Sequence, residues 1–469
     1  MIEPNNGVSL MADGTVYSKR KDFCPFSTHP LETYASVVGE QRMERLQVAA
    51  QRLNGLKLLE LNASAQGGGV AELLYSAIPF LNMLGIEAEW KVIHGNKEYF
   101  ECTKTLHNLL QGMEGSFTPE MKQCYIDNMQ ASANAKLVDY NPDVVLVHDP
   151  QPLGLTHYIK KPEQIWLWRC HIDIEEGALA DNVGLWDFVV DWLEHYDAAI
   201  FSAAHYIMSR WPLPKFIIPP FIDPLSEKNR ELSQEEIDGV LTKYQIDPEI
   251  PMITQIGRFD PWKGIDRTIA VFRRVRKERQ CQLILAGGLA ADDPEGERIL
   301  TGVYEDTKDD DDIHVLNLSM ENRLENWKEV NALQRAASVI MQPSTKEGFG
   351  LVITEALWKR KPVIAAAVGA ISLQIREGDT GFFYHMPHIT ARKVLHLLEN
   401  PQIAQVLGER GRKYVEEHFL LPDRIADWLM AIDMVINGGV SGKGCTDCII
   451  SFHPWYKMSK RKKAGSRNY

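Results

Sequence analysis

The chain has 469 residues and a formal net charge of -12 at neutral pH. That balance argues against nucleic acid as the main partner, because such binding is dominated by cations placed on phosphates. The length allows about three domains with a sizeable core, no apolar run is long enough to span a bilayer, and the start Met1-Ile2-Glu3-Pro4-Asn5-Asn6 lacks the regions of a signal peptide. A cytoplasmic protein with no membrane partner is therefore expected. Its seven cysteines, an odd number scattered over a long chain, read as reduced thiols and not as a disulfide framework.

In chain order, a helical lead from Leu31 to Leu53 precedes a strand from Leu56 to Leu61. The turn Gln66-Gly67-Gly68-Gly69 follows, then a helix from Val70 to Leu84. Further strands are predicted from Ala88 to Ile93, Asp143 to Val147, Gln164 to Cys170 and Ala198 to Phe201. They are apolar and rich in β-formers, as strands covered on both faces are. The proline-rich stretch from Trp211 to Pro224 marks a crossing into a second unit, with strands from Met252 to Ile256, Gln282 to Leu285, His314 to Leu316, Ser338 to Met341 and Pro362 to Ala365. Strands and helices that alternate twice over predict an α/β protein of two Rossmann-like, doubly wound parallel-sheet domains. The boundaries read as 1–220 and 221–415, then a helical segment at 416–437 that packs back on the first domain, then a basic tail at 438–469 expected to be disordered.

Chemistry concentrates at the predicted carboxyl ends of strands. Glu347-Gly348-Phe349-Gly350-Leu351-Val352-Ile353-Thr354-Glu355 sets two carboxylates around a glycine turn that opens a helix. Glycines let the backbone approach a ligand, and the free amides of a helix start suit a phosphate. Taken alone, an ordinary strand-to-helix loop with two solvated glutamates accounts for it equally well. Upstream, the strand ending at Gly257 delivers Arg258 into a loop, and Lys263 stands just before a helix that starts near Ile265. Two such cations could hold a diphosphate and stabilise the charge it gains on leaving, or could simply pair with Asp260 or Asp266.

In the first unit the triple glycine at 67–69 lacks the spacing of the dinucleotide fingerprint, yet its amides could meet a phosphate or a sugar hydroxyl. A simple tight turn is the alternative. His148-Asp149-Pro150-Gln151-Pro152 and Arg169-Cys170-His171-Ile172-Asp173 follow neighbouring strands, so His148, Asp149, His171 and Asp173 project at the same rim. The run Asp309-Asp310-Asp311-Asp312 reads as a solvated loop and not a metal site. Cys445 and Cys448 lack a second cysteine pair, with His453 the one extra ligand nearby, so no metal is expected.

With these residues in view, the chain resembles the retaining GT-B glycosyltransferases of glycosyltransferase family 4, over roughly residues 30 to 437. Its longer strings are most similar to the glycosyltransferring trehalose synthases. They are Gly67-Gly68-Gly69-Val70-Ala71-Glu72, Trp90-Lys91-Val92-Ile93, Thr103-Lys104, Leu106-His107-Asn108, His148 to Pro152, Trp168 to Asp173 and Pro219-Pro220-Phe221-Ile222-Asp223-Pro224. Retaining trehalose phosphorylases carry similar strings.

The resemblance implies two domains facing across a cleft and a glucosyl exchange between trehalose and a nucleoside diphosphate. NDP-glucose with glucose or trehalose would be the substrates, without cofactor or metal, and a homodimer would follow family habit. It further implies catalytic roles for Arg258, Lys263, Glu347 and His171. Gly67, Gly68, Gly69, Gly348, Phe349, Gly350, Leu351 and Glu355 would bind the donor, with Glu355 on the ribose, and Asp149 and Gln151 the acceptor. No carboxylate is placed as a retaining hydrolase's nucleophile would be. The resemblance implies front-face attack, with the leaving phosphate taking the acceptor's proton. A phosphorylase that uses inorganic phosphate, and another sugar-nucleotide enzyme such as an epimerase, are the alternatives.

Overall fold

Apolar runs become strands where glycine, proline or polar residues bound them. In chain order they are β1 (Thr15–Tyr17), β2 (Lys57–Asn62), β3 (Glu87–Val92), β4 (Val144–His148), β5 (Ile165–Cys170), β6 (Ala198–Phe201), β7 (Lys215–Ile217), β8 (Met252–Ile256), β9 (Gln282–Gly287), β10 (Ile313–Asn317), β11 (Val339–Gln342), β12 (Val363–Ala365), β13 (Phe382–Phe383) and β14 (Ile449–Ser451). A computed structural model of the chain describes residues 15–17, 29–66, 68–134, 141–174, 183–208, 211–289, 294–439 and 448–452. Gly67, Cys445 and His453 lie outside these residues.

The chain divides into two compact units, one ending its first pass at Pro220 and resuming at Pro422, the other spanning Phe221–Leu421. In the first, the sheet order is β1-β3-β2-β4-β5-β6-β7-β14. All its pairings are parallel except that of β1 with β3. In the second, the order β10-β9-β8-β11-β12-β13 is parallel throughout. Apart from the antiparallel edge strand β1, each order reverses direction once, between β2 and β4 in the first unit and between β8 and β11 in the second. A crevice opens at such a switch point beyond the carboxyl ends of the strands, and ligands bind there in open α/β sheets.

The second unit shows why its sheet is covered on both faces. In β9, Leu283 and Leu285 join one apolar cluster with Ile269, Phe272 and Val394, while Ile284 and Ala286 join another with Val240, Val330 and Leu333. Successive side chains of a strand point to opposite faces, so an unbroken apolar run needs helices on both sides. In the first unit, the helix Leu421–Ile436 lies along the helix Glu40–Arg52 through ion pairs from Arg42 to Asp423, Arg45 to Asp427 (2.5 Å) and Arg52 to Asp433 (3.2 Å). Among the described residues no helix is long and apolar enough to cross a membrane.

Several expectations change. The helical lead is two helices, Leu31–Val38 and Glu40–Arg52, broken at Gly39, whose φ of 84° lies in the left-handed region that favours glycine. The proline-rich crossing contains β7, and residues 449–451 of the expected disordered tail form β14, parallel to β7. Cys448 is disulfide-bonded, whereas Cys102, Cys124, Cys170 and Cys281 are free, so the expectation of reduced thiols throughout does not hold. Within the acidic run, Asp310 and Asp312 are taken by Arg273 and Arg276.

Candidate active site

At the switch point of the second unit, the loop after β8 is tied to the loop after β11. The Thr345 amide donates to the Trp262 carbonyl at 2.7 Å, and Gln255 Nε2 donates to the Lys263 carbonyl at 2.8 Å. Asp260 starts a short helical turn by accepting from the Trp262 amide at 2.8 Å. That turn ends at Lys263 and sends its ammonium to Glu347, with Nζ 2.5 Å from Oε2. Ser344 Oγ donates to the same carboxylate oxygen at 3.4 Å. Lys263 and Glu347 retain side-chain exposures of 16% and 13%, so the pair is open to a ligand and not sealed in the core. Arg258 is 45% exposed and pairs with Asp260 at 3.2 Å, one of the two partners the plainer sequence reading allowed it.

Gly350 has a φ of 82° and precedes the helix Leu351–Trp358, which has no side-chain cap at its start. Its left-handed backbone turns the chain over Glu347, and an added Cβ would stand 3.2 Å from Glu347 Cγ. The Gly348 carbonyl accepts from the Ala370 amide at 3.3 Å, and the Phe349 carbonyl accepts from Gln374 Nε2. Glu355 is 2% exposed, with Oε1 3.0 Å from Lys228 Nζ and Oε2 buried without a hydrogen-bond partner. The sequence reading missed Lys228, which sits in no recognisable motif.

In the first unit, His148 ends β4 and Asp149 follows with a φ of 62°. Non-glycine residues in that region are uncommon and store strain. Hydrogen bonds hold it there. The Asp149 amide donates to the Arg169 carbonyl (2.9 Å), Trp168 Nε1 donates to the Asp149 carbonyl (3.0 Å), and the His171 amide donates to Asp149 Oδ1 (2.8 Å). His148 Nδ1 lies 2.9 Å from His171 Nε2, and His148 Nε2 lies 2.5 Å from Glu60 Oε2. Glu60 is fully buried in β2. The sequence carried a signal for it, a carboxylate inside Leu58-Leu59-Glu60-Leu61, because a charge in an apolar strand needs a partner.

Burial pushes the Asp149 carboxyl up to about 7, against the opposing pull of the His171 amide and the Arg169 guanidinium. Burial lowers the pKa of both His148 and His171, so they stay neutral near neutral pH. Gln151 receives Tyr99 Oη on its backbone carbonyl at 2.7 Å, while its side-chain Oε1 is buried without a partner. Gly68 is extended, and a Cβ built there would meet nothing within 4 Å, which leaves room beside the first amides of the helix Gly69–Met83.

The structure therefore gathers Lys263, Glu347 and the 348–351 turn at one switch point, and Gly68, His148, Asp149 and His171 at the other. Comparison with known proteins adds identity. Residues 60–208 match the model of the trehalose synthase N-terminal domain, and residues 240–414 that of glycosyl transferases group 1. The trehalose synthase of Pyrococcus horikoshii is 42% identical over 403 residues, 85% of this chain and 95% of that protein. The trehalose phosphorylase of Grifola frondosa is 26% identical over 94% of this chain but only 64% of its own length. Among solved structures, the sucrose-phosphate synthase of Thermosynechococcus elongatus superposes with a TM-score of 0.62 at 17% identity, over 82% of this chain and all of that one. This likeness shows the fold, the GT-B arrangement of two parallel-sheet domains.

Proposed function

Because the chain belongs to the trehalose synthase family of group 1 glycosyltransferases, we propose that it is a retaining glucosyltransferase interconverting NDP-glucose and glucose with trehalose and NDP. That it is a hexosyltransferase follows from the family itself. The observation that carries the finer reading is the Lys263 ammonium, held 2.5 Å from Glu347 at the switch point and still reachable from solvent. A cation fixed there stabilises a diphosphate as it gains charge on leaving, and preorganised charge is usually the largest catalytic term. Arg258 supplies a second cation beside it. Glu347 accepts from donor hydroxyls, the 348–351 turn meets phosphate and sugar through its backbone, and Glu355 offers its unpartnered Oε2 to the ribose. Gly68 leaves room for a donor group beside the first amides of its helix, and Asp149 and Gln151 take the acceptor glucose. Side chains supply the positive charge, so no metal is part of the proposal.

The test is incubation with trehalose and UDP, ADP or inorganic phosphate in the presence of a chelator. NDP-glucose is the expected product. Glucose 1-phosphate formed with phosphate alone would favour a phosphorylase, the second reading that the resemblance to the Grifola frondosa enzyme supports.

Asp149 also makes the reaction pH-sensitive. Its folded carboxyl titrates at about 7, above its ordinary value of 3.8, so the charged form that a sugar hydroxyl donates to is lost as pH falls through 7. The acceptor KM should rise by up to about tenfold per pH unit below 7. Burial lowers the pKa of both His148 and His171 below the ordinary imidazole value, away from the Asp149 step at about 7. For stability the sign is opposite: a raised carboxyl pKa favours the fold most below pH 3.8, and that contribution is gone above about 7. Asp149→Asn should flatten both trends. An acceptor KM constant between pH 5.5 and 8 would exclude Asp149 as the titrating contact.

A further inference from the structure

A hydrogen-bonded chain crosses three adjacent strands of the first unit, from Glu60 in β2 through His148 at the end of β4 to His171 just beyond β5. Glu60 and His148 are buried, and the two imidazoles lie nearly parallel, their planes 11° apart. The family resemblance implies a catalytic role for His171, whereas Glu60 has no task in the proposed reaction. We propose that Glu60 is a positioning residue that fixes the tautomer of His171 through His148, so that His171 presents Nδ1 as a hydrogen-bond acceptor to a sugar hydroxyl.

Proton counting along the chain fixes both tautomers. Each close contact in the chain holds a single proton. A carboxylate only accepts, so His148 must donate to Glu60 through Nε2–H. A neutral His148 then has a bare Nδ1, which can only accept. His171 must therefore carry its proton on Nε2, and its own Nδ1 is left as a lone pair. The nitrogen that is protonated in a histidine is set by the bond its other nitrogen makes, and here that rule acts twice in series. Burial keeps both rings neutral, since it lowers the pKa of each. A buried cation stands within electrostatic reach of Glu60. Arg169 is buried, with its pKa drawn down to about 9 by that burial, and the negative charges of Glu60 and Asp149 act against that fall.

This inference rests on the proposed sugar site, and its test is separable from that reading because a tautomer can be measured without substrate. Long-range nitrogen–proton spectra of the full chain labelled with [15N]histidine, with His171 assigned by comparison with His171→Asn, should show the Nε2–H form. Glu60→Leu should shift His171 toward Nδ1–H and lower kcat/KM by roughly tenfold to a hundredfold, the scale on which removing the partner that orients a functional imidazole acts. Most of that loss should fall on the KM of the sugar that His171 meets. Glu60→Gln, whose amide oxygen still accepts from His148, should keep the native tautomer and most of the activity. An Nδ1–H form in the unaltered protein overturns the proposal even if Glu60→Leu fails to fold, and so does an unchanged tautomer in Glu60→Leu. Failure of the transferase reading would appear differently, as absence of glucosyl transfer with the tautomer as expected.

Discussion

Replacing Lys263 with alanine is expected to lower kcat by about a hundredfold to a thousandfold, the cost measured when one donor to a developing anion is removed. The ammonium stands at the β8–β11 switch point 2.5 Å from Glu347, which also belongs to the proposed site. Arg258 differs, since it already pairs with Asp260 at 3.2 Å and is 45% exposed, so Arg258→Ala should cost less. Lys263→Arg should not restore the rate, because a planar fork cannot reproduce a single-point contact at that distance. The fold should survive the alanine change. Glu347 keeps the Ser344 hydroxyl at 3.4 Å and enough exposure to be solvated once its cation is gone. Steady-state kcat and KM for NDP-glucose, taken with a thermal melt, check this. A kcat within threefold of the unaltered enzyme would remove Lys263 from the proposed machinery.

What the sequence made legible follows from distance along the chain. Lys263, Glu347, Asp149 and His171 stand within a few residues of the strand that delivers them, so an apolar run followed by a polar cluster was enough to find them. The apolar strand around Glu60 signals only that this carboxylate needs a partner, and which partner it or Lys228 meets is encoded in no local pattern. Glu60 meets His148 only because β2 lies beside β4 in the sheet, and Lys228 meets Glu355 only because the fold brings a distant helix to it. The missed strands have the same cause. Residues 215–217 are bracketed by prolines, β13 is two residues long, and β14 lies in a stretch of tail composition, so each exists through its partner strand and not through its own periodicity.

Glycine chemistry separates fold from site most sharply, through Gly287→Ala and Gly68→Ala. Gly287 ends β9, and a Cβ there would stand 1.8 Å from the Gly257 carbonyl oxygen. The obstacle is backbone and cannot rotate away. It is also held in place, since the Gly257 amide donates to the Ala286 carbonyl at 3.0 Å and the Leu318 amide to the Gly287 carbonyl at 2.8 Å. Relieving the clash means parting β8 from β9 where Arg258 leaves the sheet, so Gly287→Ala should destabilise by about 3 kcal/mol or more. On the second unit's scale that is a fall in melting temperature of roughly 6–12 °C. Gly68 gives the opposite expectation. Its φ of 175° suits any residue and its Cβ would meet nothing, so Gly68→Ala should change stability by no more than about 0.5 kcal/mol. If NDP-glucose uses the open space at that glycine, the methyl group occupies it, and the KM for NDP-glucose should rise while the melt stays put. Equal melting temperatures for Gly287→Ala and the unaltered chain would mean that the β8 and β9 ends are not packed as described, and with them the placement of Arg258.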